Sequence, residues 1–225
     1  MAEKGKLIVL EGLDGAGTTS MSEEIVKHFS GLGVPMVFTA EPYSPELEPL
    51  LRKFISGEYT DPGWRPMALL FGADRLIHCR DLVDVLAGGM NVVCDRYIGS
   101  TVAYQSALAH TDDRYDARAF IREHLSPGTL APDLTLFLQA DVKTCVGRRS
   151  KSRDTEDYYE RVTIQYQVEE AYEVWLQESK DEGLGEYLAV DANRNYWSVR
   201  DDCFNAVENL LMDKGVANVR ARNGS

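Results

Sequence analysis

Gly12-Leu-Asp14-Gly15-Ala16-Gly17-Thr18-Thr19-Ser20 is the stretch whose residue types and spacing most plainly fit chemistry. Four residues separate Gly12 from Gly17, the spacing of a Walker A phosphate loop. Its glycines allow open backbone conformations, and its N–H groups can approach an anion closely. Thr19 stands where such a loop places a hydroxyl on Mg²⁺. Position 18, the motif's lysine, is threonine, so the cation that normally reaches the outer phosphates is missing. The plainer alternative is a glycine-rich turn joining two elements. A dinucleotide fingerprint is excluded, because the glycines run G-x-x-G-x-G and not G-x-G-x-x-G.

Asn91-Val-Val-Cys94 ends in Asp95, which suits a Walker B-like strand whose carboxylate holds Mg²⁺, although a strand that merely turns at aspartate looks the same. Arg96 could neutralise a phosphate or pair with Glu11 or Glu41. Phe71 and Arg75 share a helix face. They could stack a base and donate to its edge, or form a core aromatic beside a structural ion pair. Arg148, Arg149, Lys151 and Arg153 form the densest cationic stretch. That stretch is either a solvated face or a lid that closes over phosphates and excludes water. His28, His78, His110 and His124 fall on separate predicted elements and mark no histidine-dependent chemistry. These parts together fit phosphoryl transfer, which asks for positioning and charge neutralisation rather than covalent work.

The elements that must position these residues follow from hydrophobic periodicity. Leu7 to Leu10 reads as a strand buried on both faces. Met21, Ile25, Phe29 and Leu32 recur at helical spacing, so a helix begins near Gly17 and turns its dipole toward the loop. Further strands are expected at 35–39, 91–95, 134–138 and 187–190. Helices are expected at 47–55, 66–87, 100–108, 113–125 and 199–212, with another whose face carries Ile164, Val168, Ala171, Tyr172 and Trp175. In the helix over 66–87, Leu69, Ala73, Leu76 and Val83 are expected to face the core. Asp141 is placed to cap a short helix.

This alternation predicts an α/β fold, a five-stranded parallel sheet with helices on both faces. One domain would span 1–215, with a lid at about 148–160 and a loose tail over 216–225. Ligands of such sheets bind at the carboxyl ends of the strands. Glu11, Glu41 and Asp95 all end predicted strands, so they are expected to converge on one cleft.

The 225 residues are 44% hydrophobic and 27% charged, as in ordinary globular proteins. A net charge of −12 argues against a general nucleic-acid or anionic-membrane surface, but not against a small anion in a locally basic cleft. Cys79, Cys94, Cys145 and Cys203 are widely spaced with no C-x-x-C, which suggests neither zinc nor a disulfide framework and fits a reducing cytoplasm. No signal peptide is read before the first strand, and no apolar run approaches membrane-spanning length.

Several segments together carry a family resemblance. They are Val9-Leu-Glu-Gly-Leu-Asp-Gly-Ala-Gly17, Leu69-Leu-Phe-Gly-Ala-Asp-Arg75, Asp95-Arg-Tyr-Ile-Gly-Ser-Thr-Val-Ala-Tyr-Gln105, Pro132-Asp-Leu-Thr-Leu-Phe-Leu138, the arginine-rich stretch and Glu170-Ala-Tyr172. Over about residues 6–212 the chain resembles the thymidylate kinases, P-loop nucleoside monophosphate kinases. The resemblance implies a P-loop NTPase three-layer sandwich, ATP and Mg²⁺ as cofactors, dTMP as acceptor, no nucleic-acid or membrane partner, and a homodimer. Gly12, Gly15, Ala16, Gly17, Thr18, Thr19 and Ser20 would cradle the ATP phosphates, and Thr19 and Asp95 would hold Mg²⁺. Phe71 would stack on thymine, and Arg75 and Ser100 would reach its polar edge. Tyr104 would pack under the deoxyribose where a 2′-hydroxyl would clash, with Gln105 and Glu41 in the same substrate pocket. Asp14 would hold the 3′-hydroxyl region and Arg96 the monophosphate. Arg148 or Arg149 would lie near adenine, and Asp14, Arg96, Arg149 and Arg153 make up the implied catalytic set.

Two departures stand out. The loop lysine is Thr18, and the family's T-R-E-P-G segment reads Thr39-Ala40-Glu41-Pro42-Tyr43, with Ala40 where an arginine faces the acceptor phosphate. Losing one preorganised donor typically costs about 3–4 kcal/mol in the transition state. Three readings therefore stand: an active thymidylate kinase, a kinase for another (deoxy)nucleoside monophosphate, and a catalytically silent nucleotide-binding regulator. In an active enzyme the arginine-rich lid is expected to supply the missing cation, Arg153 first and Arg149 next.

Overall fold

In a computed structural model that describes residues 4–109, 114–149, 162–182 and 186–212, five strands form one parallel sheet. They are β1 (Leu7–Gly12), β2 (Met36–Ala40), β3 (Asn91–Asp95), β4 (Leu134–Gln139) and β5 (Glu186–Asp191), in the order β2-β3-β1-β4-β5. The helices among the described residues are α1 (Thr18–Gly31), α2 (Glu48–Ile55), α3 (Trp64–Ala87), α4 (Ile98–Leu108), α5 (Arg114–His124), α6 (Val142–Arg149), α7 (Val162–Glu182) and α8 (Tyr196–Leu211). The expected elements are all present, displaced by a few residues at their ends.

Strand β1 is buried at every position, and its alternation assigns the two layers. Ile8 and Leu10 join Met21, Ile25 and Phe29 of α1 and Cys203, Ala206 and Val207 of α8. Leu7 and Val9 join Cys79, Leu82 and Leu86 of α3. Glu11 continues the Leu7–Val9 side of the strand. Because β1 lies between β3 and β4, the strand order reverses at the loop that follows it, the place where open α/β sheets bind ligands. Asp141 does cap α6, accepting from the Thr144 N–H at 2.7 Å.

One expectation fails. Leu69, Ala73, Leu76 and Val83 do not face the core; all four are exposed, Leu69 at 52%, Leu76 at 44% and Val83 at 48%. The packed face of α3 instead carries Met67, Ala68, Gly72, Asp74, Arg75, His78, Cys79, Leu82 and Leu86. Small and polar residues dilute its apolar pattern. Gly72 is needed there for close approach, since a Cβ on it would lie 2.7 Å from the Leu125 side chain.

The four cysteines are buried free thiols. No described helix is long and apolar enough to cross a membrane. Lys151, Arg153, most of the expected lid and the expected tail lie outside the described residues.

Candidate active site

A cavity of about 740 Å³ opens at the carboxyl ends of β1, β2 and β3. Its walls are Asp14, Gly15 and Gly17 to Ser20, then Ala40 to Pro42, then Phe71 and Arg75 of α3. Asp95 to Tyr97, α4 residues Ser100, Thr101, Tyr104 and Gln105, and Arg148 and Arg149 at the end of α6 line it too, with Phe38, Arg52 and Ile55. Residues predicted from five separate segments therefore share one space. Gly12 and Ala16 do not line it; they form the underside of the loop, where a Cβ on Gly12 would meet the Leu138 carbonyl at 2.8 Å.

The loop takes its shape from Gly15 and Gly17, at φ 95° and 101°, values that side chains disfavour. Helix α1 begins at Thr18 with no side-chain cap, so the N–H groups of its first turn are available to an anion. Thr19 Oγ1 donates to Asp95 Oδ2 at 2.5 Å, while Asp95 Oδ1 is buried with no hydrogen-bond partner. A hydroxyl beside a half-vacant carboxylate fits the protein's share of a Mg²⁺ site, whose other ligands are phosphate and water.

Arg96 has φ 73°, the only positive value at a non-glycine among the described residues. Its Nη2 donates to Asp14 Oδ1 at 2.8 Å, and its Nη1 donates to the Gly12 carbonyl, Ser100 Oγ and Tyr172 OH. Its ion-pair partner is thus Asp14 rather than Glu11 or Glu41. Burial disfavours the Arg96 charge, but the Tyr104 and Tyr172 hydroxyls with Asp14 and Asp95 outweigh it and hold the group well above the ordinary arginine range.

Glu11 departs from expectation, for it lies beneath the cleft rather than in its wall. Its Oε1 accepts the Tyr97 and Ser100 N–H groups at 3.0 Å each, and its Oε2 accepts Ser100 Oγ at 2.6 Å and Tyr172 OH at 2.9 Å. An anion there anchors the N-terminus of α4, the helix that carries Ser100, Tyr104 and Gln105. Burial pushes the Glu11 carboxyl above its ordinary range, against the opposing pull of Arg96 and these hydrogen bonds.

At the far end of the cavity Arg75 is 1% exposed. Its Nη2 donates to Glu41 Oε2 at 2.5 Å and to Thr101 Oγ1 at 2.8 Å, while Nε and Nη1 have no protein partner. The guanidinium lies 5.1 Å from the centre of the Tyr97 ring. Glu41 has its second oxygen against His78 Nδ1 at 3.1 Å, so both carboxylate oxygens are committed to protein groups.

Arg148 donates to the Ala16 and Ala192 carbonyls at 3.2 and 2.7 Å, and Arg149 to the Asp14 carbonyl at 2.5 Å. The basic end of α6 is thus tied to the phosphate loop. Gly15 permits this, because its Cβ would stand 2.7 Å from the Cys145 carbonyl.

Sequence reasoning missed Arg52, Thr101, His78, Gln165 and Tyr172. Arg52 and Thr101 line the cavity, and Gln165 donates to Asp14 Oδ2 at 3.2 Å. The signal for His78 was its place one turn after Arg75 on the same helix face.

Comparison with known proteins agrees with this geometry. The profile of the thymidylate kinase family matches residues 10–203. A probable thymidylate kinase of Staphylothermus marinus is 34% identical over 211 residues, 93% of this chain and 96% of its own length. The thymidylate kinase of Neisseria meningitidis serogroup B is 30% identical over 210 residues, 92% of this chain and 97% of its own. A solved thymidylate kinase from Candida albicans shares the fold with a TM-score of 0.76, at 20% identity and over 93% of each chain. With the family matched along most of its length and the phosphate loop, Asp95 and Arg75 gathered in one cavity, the chain belongs to the thymidylate kinase family.

Proposed function

We propose that this protein transfers the γ-phosphoryl group of ATP to dTMP, giving dTDP and ADP, with Mg²⁺. The observation that carries the reading is one cavity with a phosphate loop at one end and a donor-rich, aromatic-walled pocket at the other. The N–H groups from Gly15 to Ser20 bind the ATP phosphates. Thr19 and Asp95 would hold Mg²⁺, which would supply positive charge to neutralise the phosphates. Arg96, oriented by Asp14, binds the acceptor phosphate and sets it in line. Asp14 also takes the sugar 3′-hydroxyl, and Tyr104 packs under the deoxyribose with Gln105 beside it. Phe71 stacks on the base. The unpartnered Arg75 nitrogens only donate, so they favour a base edge with a carbonyl over one with an amino group.

The cation missing at Thr18 is supplied from α6 and the lid, by Arg149 and Arg153. Arg52, on the cavity wall with Ala40, offers charge on the acceptor side. The exposed stripe of Leu69, Leu76 and Val83 on α3 gives the homodimer a face to bury. We place the protein in the cytoplasm, where buried Cys79, Cys94, Cys145 and Cys203 stay reduced.

The test is ADP release from ATP-Mg²⁺ against a panel of nucleoside monophosphates. dTMP and dUMP should outperform dCMP and dGMP, and UMP should be poorer than dUMP. Binding of ATP with no ADP release for any acceptor would make the protein a silent nucleotide binder. Preference for a purine would remove the thymine assignment and leave a kinase.

A further inference from the structure

We propose that His78 is a positioning residue, holding Arg75 through Glu41 and thereby setting the preference for a carbonyl-bearing base. The inference rests on the reading of Arg75 as the base contact. His78 is fully buried on α3. Its Nδ1 lies 3.1 Å from Glu41 Oε1 and its Nε2 lies 2.9 Å from Thr39 Oγ1. The Tyr43 ring stacks on the imidazole at 4.1 Å and 15°, and the Tyr43 hydroxyl donates to Asp81 at 3.0 Å.

A carboxylate only accepts, so Nδ1 carries the proton in this contact. Thr39 at Nε2 and Tyr43 on the ring face then leave the imidazole one orientation. Glu41 is clamped between two donors, Arg75 on Oε2 and His78 on Oε1. Its backbone is held as well, by its own N–H on the Asp95 carbonyl at 3.1 Å. Asp74 adds a tether by accepting the Tyr43 and Ser44 N–H groups at 2.8 and 2.7 Å.

Three side chains of α3 thus fix the loop after β2, and the loop returns a carboxylate that fixes Arg75. Without the His78 donor, Oε1 is buried with its hydrogen bond broken and the carboxylate is free to rotate. Arg75 Nη2 then loses its orientation, and with it the unpartnered Nε and Nη1 donors lose their fixed positions at the wall of the cavity.

The experiment compares His78→Leu, His78→Asn, Thr39→Val and Arg75→Leu with the parent, measuring KM for ATP and dTMP and the ratio of kcat/KM for dTMP over dCMP. Asparagine can place an N–H near the site of Nδ1. His78→Leu should raise KM for dTMP and narrow the dTMP:dCMP ratio, each about tenfold, the scale of one buried hydrogen bond. KM for ATP should stay within about twofold. His78→Asn should recover most of the ratio, and Thr39→Val should shift it in the same direction by less. A purely structural role would lower stability and leave the ratio alone.

If Arg75→Leu collapses the ratio while His78→Leu keeps it, the positioning role is wrong and the base reading stands. An unchanged ratio in Arg75→Leu as well overturns the base reading itself. Should His78→Leu fail to fold, a parental ratio in Thr39→Val overturns the proposal.

Discussion

Replacing Arg149 with alanine removes a guanidinium held against a phosphate loop that lacks its lysine. Arg149 Nη1 stands 2.5 Å from the Asp14 carbonyl, and Arg149 and Thr18 line the same cavity. The transferring phosphoryl group spreads charge over its equatorial oxygens whatever occupies position 18. Loss of one preorganised donor is worth about 10²–10³ in kcat, roughly 3–4 kcal/mol of transition-state stabilisation. The lost hydrogen bond to a backbone carbonyl has a structural cost on the order of 1.5–3 kcal/mol at most. Arg148 limits that cost, because its own bonds to Ala16 and Ala192 keep α6 docked. Stability should therefore change little while catalysis collapses. Coupled ADP release at saturating ATP and dTMP, with single-turnover rates to isolate chemistry, should show kcat down about 10²-fold and KM for dTMP near the parent value. Adding Thr18→Lys to Arg149→Ala should restore at least about tenfold, since Thr18 faces a cavity of about 740 Å³ with room for the longer chain. A kcat for Arg149→Ala within a few-fold of the parent refutes the compensation. Arg153→Ala, measured alongside, apportions the charge between α6 and the lid.

Three further outcomes are expected. Asp95→Asn should lower kcat by about 10²-fold or more and raise the Mg²⁺ concentration for half-maximal rate; an unchanged Mg²⁺ titration would move the metal elsewhere. Leu76→Glu places a charge in the exposed α3 stripe and should give a monomer by light scattering, whereas an unchanged mass would remove that face as the interface. Burial holds the Glu11 carboxyl above the ordinary value of 4.5, so the folded state binds its proton more tightly than the unfolded state. That stabilisation is complete below the unfolded value and is lost as pH rises through the folded one. The Tm of the parent minus that of Glu11→Gln should accordingly fall as pH rises from about 4.5, and a flat difference would contradict the shift.

Local rules were enough to read β1, the loop and α1 from the sequence. A buried apolar run, glycines at fixed spacing and a helical period act over about twenty residues and point to the same answer. The parallel sheet and the place of Asp95 beside the loop were legible for a related reason, since strand ends must meet the loop at the switch point. Several pairings were not legible. Arg96 joins Asp14, 82 positions away, rather than Glu11 or Glu41. Glu11 reaches Ser100 and Tyr172, 89 and 161 positions away, and so lies under the cleft.

The buried stripe of α3 was misread because Asp74, Arg75 and His78 occupy its inner face, where periodicity expects apolar residues. Those polar groups are tolerated inside because Glu41, Thr39, Thr101 and the backbone of Tyr43 and Ser44 satisfy much of their hydrogen-bonding capacity. Spacing along the chain determined which residues could bind phosphate. Only the tertiary structure decided how buried charges are paired, because a buried polar group takes its partner from whatever distant segment packing brings within about 3 Å.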